Sequence, residues 1–483
     1  MRPGVCARGG GRTHTSRRTS LFKSDASADS ATRACFAGDA TAGTMPPMSR
    51  RARRSVFAGA LSILLTAAIA PSARAVPFTR VQSAAEPFSW NPGKSLATAT
   101  GHLLSAWASD CPPPSGACAT ETSPTMRVFV QRAAGGTVPA AWGRPVRVSP
   151  LDAQAERVSI AADGDLVAVG WVTQRSYLHY DATAPRSFWI RISTDRGRSW
   201  HHAQRISMKS GRVDYPRVAV SDGSVAAVWT NADTGEIRMA LTSDRGGTWS
   251  KGTVATTTSR SDGSREGYAG LPDVGMSGDD VAVVWFANPS GMTRAAFSSS
   301  GGADLLSGAT STMLTGSSPN DGERYPAAAG SPTGGDPRVA VAFTTNDEVI
   351  VRMWDGATLG PEISVASFPS VVGGAAYAGA YGPAILPVAV DDVLVAFAGC
   401  RTRSAVADPC DPSDPGARID VLYTETVDGG SSWTPVQRLQ EATKRFRTND
   451  EPSIATTSGT RRVAFDGYGP AFTRYRVRMR SSR

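Results

Sequence analysis

Seven times along the chain, a run of small and β-branched residues closes on an aromatic: "LLSAW" at Trp107, "VAVGW" at Trp171, "VAAVW" at Trp229, "VAVVW" at Trp285, "VAVAF" at Phe343, "VLVAF" at Phe397 and "RRVAF" at Phe465. The aromatics are 64, 58, 56, 58, 54 and 68 residues apart. That spacing holds four short strands with their turns and is too irregular for a helical solenoid. Around each run the order repeats: a segment often opened by proline, a turn of the Asp-Gly type, the aromatic-ended strand, a variable loop, and a third and fourth strand such as "IRMAL" (Ile237–Leu241) and "VQRLQ" (Val436–Gln440). Alternation with period two, broken by Gly, Asp and Ser, predicts antiparallel sheets. No amphipathic helix of useful length follows Ala75.

The reading is therefore all-β, a seven-bladed β-propeller over residues 76–483 in one domain. The seventh unit ends after a third strand, "YRVRMR" (Tyr475–Arg480). Its missing fourth strand is predicted at the other end of the chain, where "FTRVQ" (Phe78–Gln82) resembles "WTPVQ" (Trp433–Gln437). Pairing the two ends closes the ring and leaves no long open edge.

Three segments share one phrase: "STDRGRSW" (Ser193–Trp200), "TSDRGGTW" (Thr242–Trp249) and "TVDGGSSW" (Thr426–Trp433). A fourth, "SSSGGADL" (Ser298–Leu305), carries Ser300 in the Asp position and Leu305 in the Trp position. The phrase resembles the Asp-box, or BNR repeat, of sialidase-like β-propellers. Physically it is a hairpin device: the carboxylate accepts N–H bonds from its own turn, a Gly supplies positive φ, and the Trp anchors it. Asp195, Asp244 and Asp428, with Trp200, Trp249 and Trp433, are accordingly read as scaffold, since three equivalent copies around a ring cannot all face one substrate. The resemblance implies that the boxes sit on the third-to-fourth-strand turns, away from any active site.

Chemistry is then expected at the other mouth. The segments "RVDYP", "REGYAGLPD", "DGERYP" and "RFRTNDEP" each bring an Arg, a carboxylate and usually a Tyr to the point just before an inner strand. Candidate ligand-binding residues are Arg212, Arg265, Arg324, Arg447 and Tyr268; candidate catalytic residues are Asp214, Tyr215, Glu266, Tyr325 and Glu451, with Glu323 and Asp450 beside them. Guanidinium groups fork onto carboxylates, and a tyrosine stacks on a sugar face or acts as acid, base or nucleophile. The same residues equally fit ion pairs that fasten one blade to the next. The early Phe/Tyr-Arg-Ile-Pro motif of the resembled family is absent. The expected function is binding of a glycan or cell-surface polymer on the funnel face; the alternatives are a glycoside hydrolase of that superfamily and a protein-interaction scaffold.

The formal charge of +9 changes this picture only until it is located. Residues 1–75 hold 12 of the 51 Lys and Arg and 3 of the 42 Asp and Glu, leaving 39 of each sign in the rest. A bulk electrostatic case for nucleic acid disappears. The basic leader, Arg50–Arg54 followed by "VFAGALSILLTAAIA" and the small residues Ala73 and Ala75, reads as a cleaved signal peptide by the Sec or twin-arginine route. Residues 1–47 are read as disordered. The mature chain is expected to be secreted and monomeric, with no stable membrane insertion. In that setting Cys111–Cys118 and Cys400–Cys410 are predicted local disulfides, a zinc site having no nearby His. "DPCDPSD" (Asp408–Asp414) reads as a solvated loop or a calcium ligand set. No cofactor motif is present, and no metal is expected.

Overall fold

A computed structural model describes residues 80–83, 89–90, 95–109, 126–134, 142–150, 154–174, 185–208, 211–256, 269–287, 292–314, 326–331, 338–345, 347–389, 391–402, 410, 417–440, 442, 448–457, 460–468 and 475–482. Among them the fold is all-β, with one short 3-10 turn at Asp304–Leu306. No helix among them is long and apolar enough to cross a membrane.

Two short strands come first, β1 (Arg80–Ser83) and β2 (Ser89–Trp90). The first sheet is β3 (Leu96–Ala99), β4 (His102–Ser109), β5 (Arg127–Ala134) and β6 (Val146–Arg147), with β2 added on β4. The second is β7 (Gln154–Asp163), β8 (Leu166–Gln174), β9 (Arg186–Ser193) and β10 (Gln204–Arg205). The third is β11 (Val213–Ser221), β12 (Ser224–Asn231), β13 (Glu236–Thr242) and β14 (Ser250–Ala255). The fourth is β15 (Ala269–Ser277), β16 (Asp280–Ala287), β17 (Met292–Ser298) and β18 (Thr312–Met313). The fifth is β19 (Ala327–Gly330), β20 (Val339–Thr344), β21 (Glu348–Trp354) and β22 (Ile363–Ser367). A nine-stranded sheet contains β23 (Ser370–Val372), β24 (Ala375–Ala389), β25 (Asp392–Arg401), β26 (Ile419–Thr426) and β27 (Gln437–Gln440). It continues through β28 (Thr448–Thr457), β29 (Thr460–Tyr468) and β30 (Tyr475–Ser482) to β1. Its two halves meet at one parallel pair, Ile419 with Thr448, and β1 pairs antiparallel with β30 from Arg80–Ser481 to Ser83–Arg478.

The aromatic-ended runs are the second strands, and their alternation places the core between successive sheets. In β8, Val167, Val169 and Trp171 face the first sheet, while Leu166, Ala168 and Val172 face the third. Each fully buried aliphatic or aromatic side chain contributes about 1.5–3 kcal/mol. The small residues are the complement: a Cβ on Gly170 would lie 2.7 Å from the Phe188 ring and 3.0 Å from Val218, so glycine lets the sheets close. The same kind of cluster joins β28 and β29 to the first sheet, through Ala455 and Ala464 against Leu96, Leu103 and Trp107.

The boxes occupy third-to-fourth-strand turns. Asp195 Oδ1 accepts from Ser193 Oγ (2.8 Å) and from the N–H groups of Arg198 (3.0 Å) and Ser199 (2.8 Å). Asp244 accepts from Thr242 Oγ1 and Thr248 N–H, and Asp428 from Thr426 Oγ1 and Ser432 N–H, in the same way. The fourth copy keeps the device with its parts exchanged: Asp304 stands where Thr248 and Ser432 stand, and accepts from both Ser298 and Ser300. The tryptophans are half-buried and pack on cores shared with the preceding sheet; Trp249 Nε1 donates to Gln204 Oε1 at 2.8 Å across that boundary.

Cys400 and Cys410 form a disulfide. Cys111 and Cys118 lie outside the described residues, as do residues 1–75, the acidic loop residues Asp408, Asp411 and Asp414, and His179.

Candidate funnel-mouth site

Five of the first strands carry a bulge at one station. The register slips between Glu156 and Ser159 in β7, Asp214 and Arg217 in β11, Gly270 and Asp273 in β15, Tyr381 and Ala384 in β24, and Asp450 and Ser453 in β28. Inside four of them the chain turns left-handed, at Arg157 (φ 52°), Tyr215 (φ 49°), Leu271 (φ 55°) and Gly382 (φ 55°). Three of those residues precede a proline, Pro216, Pro272 or Pro383. Positive φ at a side-chain-bearing residue costs on the order of 1–3 kcal/mol, and a bulge re-aims the side chain that it carries. Because each sheet is antiparallel, this station lies at the opposite end of the strands from the boxes.

The side chains re-aimed in β7 and β11 meet. Arg157 Nε lies 2.9 Å from Asp214 Oδ1, and Arg186 Nη1, from β9, lies 3.6 Å from the same oxygen. The Arg157 guanidinium carbon sits 4.3 Å from the centre of the Tyr215 ring, a cation–π contact. Glu156 completes the group, nearly buried, its Oε1 without a hydrogen-bond partner among the described residues. Burial pushes the Glu156 carboxyl above the usual carboxylate range, against the opposing pull of Arg157 and Arg186. Burial lowers the Arg157 pKa, but Asp214 and Tyr215 outweigh it and raise it above the usual arginine value.

Below the bulges a cavity of about 250 Å³ is lined by β3, β7, β11, β15, β19, β24 and β28. Its wall is mostly Ala, Val, Ile and Gly, with Arg217 and Asp273 among its few charged groups. Asp273 is tied down, its two oxygens accepting from Val274 and Ala328 N–H at 2.9 Å each. Ser159 and Ser453 likewise receive backbone N–H groups of the next sheet, Val218 (3.2 Å) and Leu96 (3.0 Å).

No protein-family model and no curated protein sequence matches the chain. Its structural neighbours are sialidases. A Hadza microbial sialidase aligns at TM-score 0.41 and 11% identity over 63% of this chain and 63% of its own. The NanB sialidase of Streptococcus pneumoniae (K499G form) gives TM-score 0.39 and 10% identity over 66% and 65%. A Trypanosoma rangeli sialidase in complex with the inhibitor DANA gives TM-score 0.41 and 8% identity over 81% and 55%. The chain thus spans less than two thirds of each of these three structures.

Of the residues singled out from sequence, the structure brings Asp214 and Tyr215 together. Arg212 is held elsewhere, by Asp233 of its own sheet: Nε to Oδ1 at 2.6 Å, with the Arg212 N–H on Oδ2 at 2.8 Å. Arg265, Glu266, Tyr268, Glu323, Arg324, Tyr325 and Arg447 lie outside the described residues, and Asp450 and Glu451 are placed on β28 as backbone. Sequence reasoning missed Glu156, Arg157 and Arg186. The second unit lacks the proline that marks the others, yet "AERVS" occupies the bulge position of "VDYPR", and that alignment was the available signal. Among the described residues no group of three or more His, Cys, Asp or Glu side chains is placed to hold a metal.

Proposed function

We propose that the protein is a seven-bladed β-propeller, closed by β1, that binds a glycan at the funnel mouth. The architecture draws support from the seven strands around one cavity and from contacts that run β3–β7–β11–β15–β19–β24–β28 and back to β3. Dividing the nine-stranded sheet at its single parallel pair yields the sixth and seventh blades, with β1 as the fourth strand of the seventh.

The observation that carries the functional reading is the Arg157–Asp214–Tyr215 group, re-aimed by two left-handed bulges beside buried Glu156. The Tyr215 ring offers a face to sugar C–H groups, while Asp214 and the guanidiniums exchange hydrogen bonds with hydroxyls. A glycan array tests this: the wild-type chain retains defined glycans, and Asp214→Asn reduces the signal at least roughly tenfold, an energy of about 1.4 kcal/mol.

Glu156 favours a second reading, glycoside hydrolysis. Burial raises the Glu156 carboxyl against the pull of Arg157 and Arg186, the direction that suits a proton donor to a glycosidic oxygen, with Asp214 as the second carboxyl group. Fluorogenic glycosides separate the two: under this reading Glu156→Gln loses turnover while array binding persists. In both readings the leader is a signal peptide and the exported chain works as a monomer. A mature N-terminus at Val76, read by mass spectrometry of secreted protein, is the expected result.

A further inference from the structure

A second surface, distinct from the funnel, stands out by charge. Apart from Arg186 at the funnel mouth, residues 126–150 and 185–208 contain eight arginines and one carboxylate, Asp195, in a chain whose residues 76–483 balance to zero. That single carboxylate is consumed by its own turn.

The basic side chains lie on the outer strands of three consecutive sheets. Arg144 and Arg147 are exposed at β6, Arg198 and Arg205 at the box turn and β10, and Lys251 at β14. Direct bonds show that these positions adjoin. Arg191 donates from Nη1 to Val148 O of the first sheet (2.9 Å) and from Nε to His201 O (2.5 Å). Lys251 Nζ donates to Ile206 O of the second sheet (2.7 Å). The bonds to Val148 and Ile206 each place a cation beside the arginine that precedes the accepted carbonyl, Arg147 or Arg205. Mutual repulsion is accordingly felt: Arg191 is lowered by burial and then by Arg147, and Lys251 by burial and then by Arg205. Among the described residues Arg144, Arg147, Arg198, Arg205 and Lys251 have no carboxylate within ion-pair distance, whereas Arg196 beside them is neutralised by Asp165 at 2.6 Å.

We propose that this rim is a binding surface for a linear acidic polysaccharide carrying repeated sulfate or carboxylate groups. Like charges crowded without counter-ions cost folding energy and are repaid when a polyanion supplies the missing charge. Guanidinium forks suit oxyanions, and a row of them across strand ends reads a flexible charged chain rather than one fixed ligand. Among the described residues the rim is built of strand edges and tight turns and offers no helix or two-stranded ribbon to enter a duplex groove, which disfavours nucleic acid.

The test uses the mature full chain with heparin (sulfated), polygalacturonate (carboxylated), and a duplex DNA of equal charge. Wild type is expected to bind heparin or polygalacturonate more tightly than the duplex, with affinity falling steeply as salt rises from about 50 mM. The R144Q/R147Q/R205Q/K251Q protein is expected to bind at least roughly tenfold more weakly and with a flatter salt dependence. R144K/R147K/R205K, which keeps the charge, is expected to retain binding. If the fourfold variant does not fold, R144Q/R205Q gives the same reading at smaller amplitude. Equal binding by the neutralised variant, tighter binding to the duplex, or no binding to either polysaccharide at low salt would overturn the proposal.

Discussion

Single residues carry two opposite pH dependences. The box carboxylates Asp195 and Asp244 are held at about 2: for Asp195, hydrogen bonds from Ser199 and Ser193 outweigh desolvation, and for Asp244 the Thr242 hydroxyl leads. A depressed carboxylate stabilises the fold fully above its unfolded value of about 3.9, and that contribution is lost as pH falls through about 2. Asp244→Asn should therefore flatten the acid limb of a melting-temperature profile between pH 4 and 2. Glu156 has the contrary sign. Its raised carboxyl favours the fold below the unfolded value of about 4.3 and disfavours it as pH climbs through the folded value. Relative to wild type, Glu156→Gln should gain stability as pH rises from 4 to 7, measured by urea denaturation. Asp420 poses a different demand. It is fully buried and accepts from Tyr377 Oη (2.5 Å), Arg401 Nε (2.7 Å) and Ala442 N–H (2.6 Å). Asp420→Ala leaves buried donors unpaired and should cost about 3–5 kcal/mol in denaturant titration. At this scale the boxes were fully legible, because a turn's chemistry is local in sequence. The exchange of Ser300 and Asp304 was not, since it keeps the hydrogen bonds while scrambling the letters. Arg157 and Arg186 were hidden for another reason: their partner Asp214 belongs to the next sheet, and no local pattern reports a contact between strands so far apart along the chain.

At the level of elements, the first strands are set by close backbone approach as much as by side chains. A Cβ on Gly330 in β19 would fall 1.6 Å from Met276 O in β15, so these two strands tolerate nothing larger than hydrogen there. Gly330→Ala should lower stability by about 1–3 kcal/mol or more, read from the denaturation midpoint. β1 makes the other demand, since its pairing with β30 covers an edge that would otherwise be open. Deleting residues 76–84 should lower the melting temperature sharply; an unchanged melting curve would remove β1 from the account. Strand order and the second-strand aromatics were legible because period-two alternation and turn residues fix them. The bulges were only half visible, through the prolines after Tyr215, Leu271 and Gly382. A register slip is a property of two paired strands, and the β7 bulge carries no proline to announce it.

Across the whole molecule, the two ends of the strands separate two kinds of acidic residue. One end locks turns with carboxylates that accept hydroxyl and N–H donors of their own turns; the other gathers Glu156, Asp214, Arg157, Arg186 and Tyr215 at the bulges. Neutral overall charge outside residues 1–75 hides a third feature, the basic rim, which composition alone cannot show. The division between scaffold and site is tested most directly by a glycan array comparing Asp214→Asn/Tyr215→Ala with Asp195→Asn/Asp428→Asn, each verified as folded. The funnel-mouth pair should lose at least roughly nine tenths of the wild-type signal while the box pair keeps its pattern. Loss of binding in the box variant with the funnel variant unaffected, or a wild-type chain that retains no glycan at all, would contradict it.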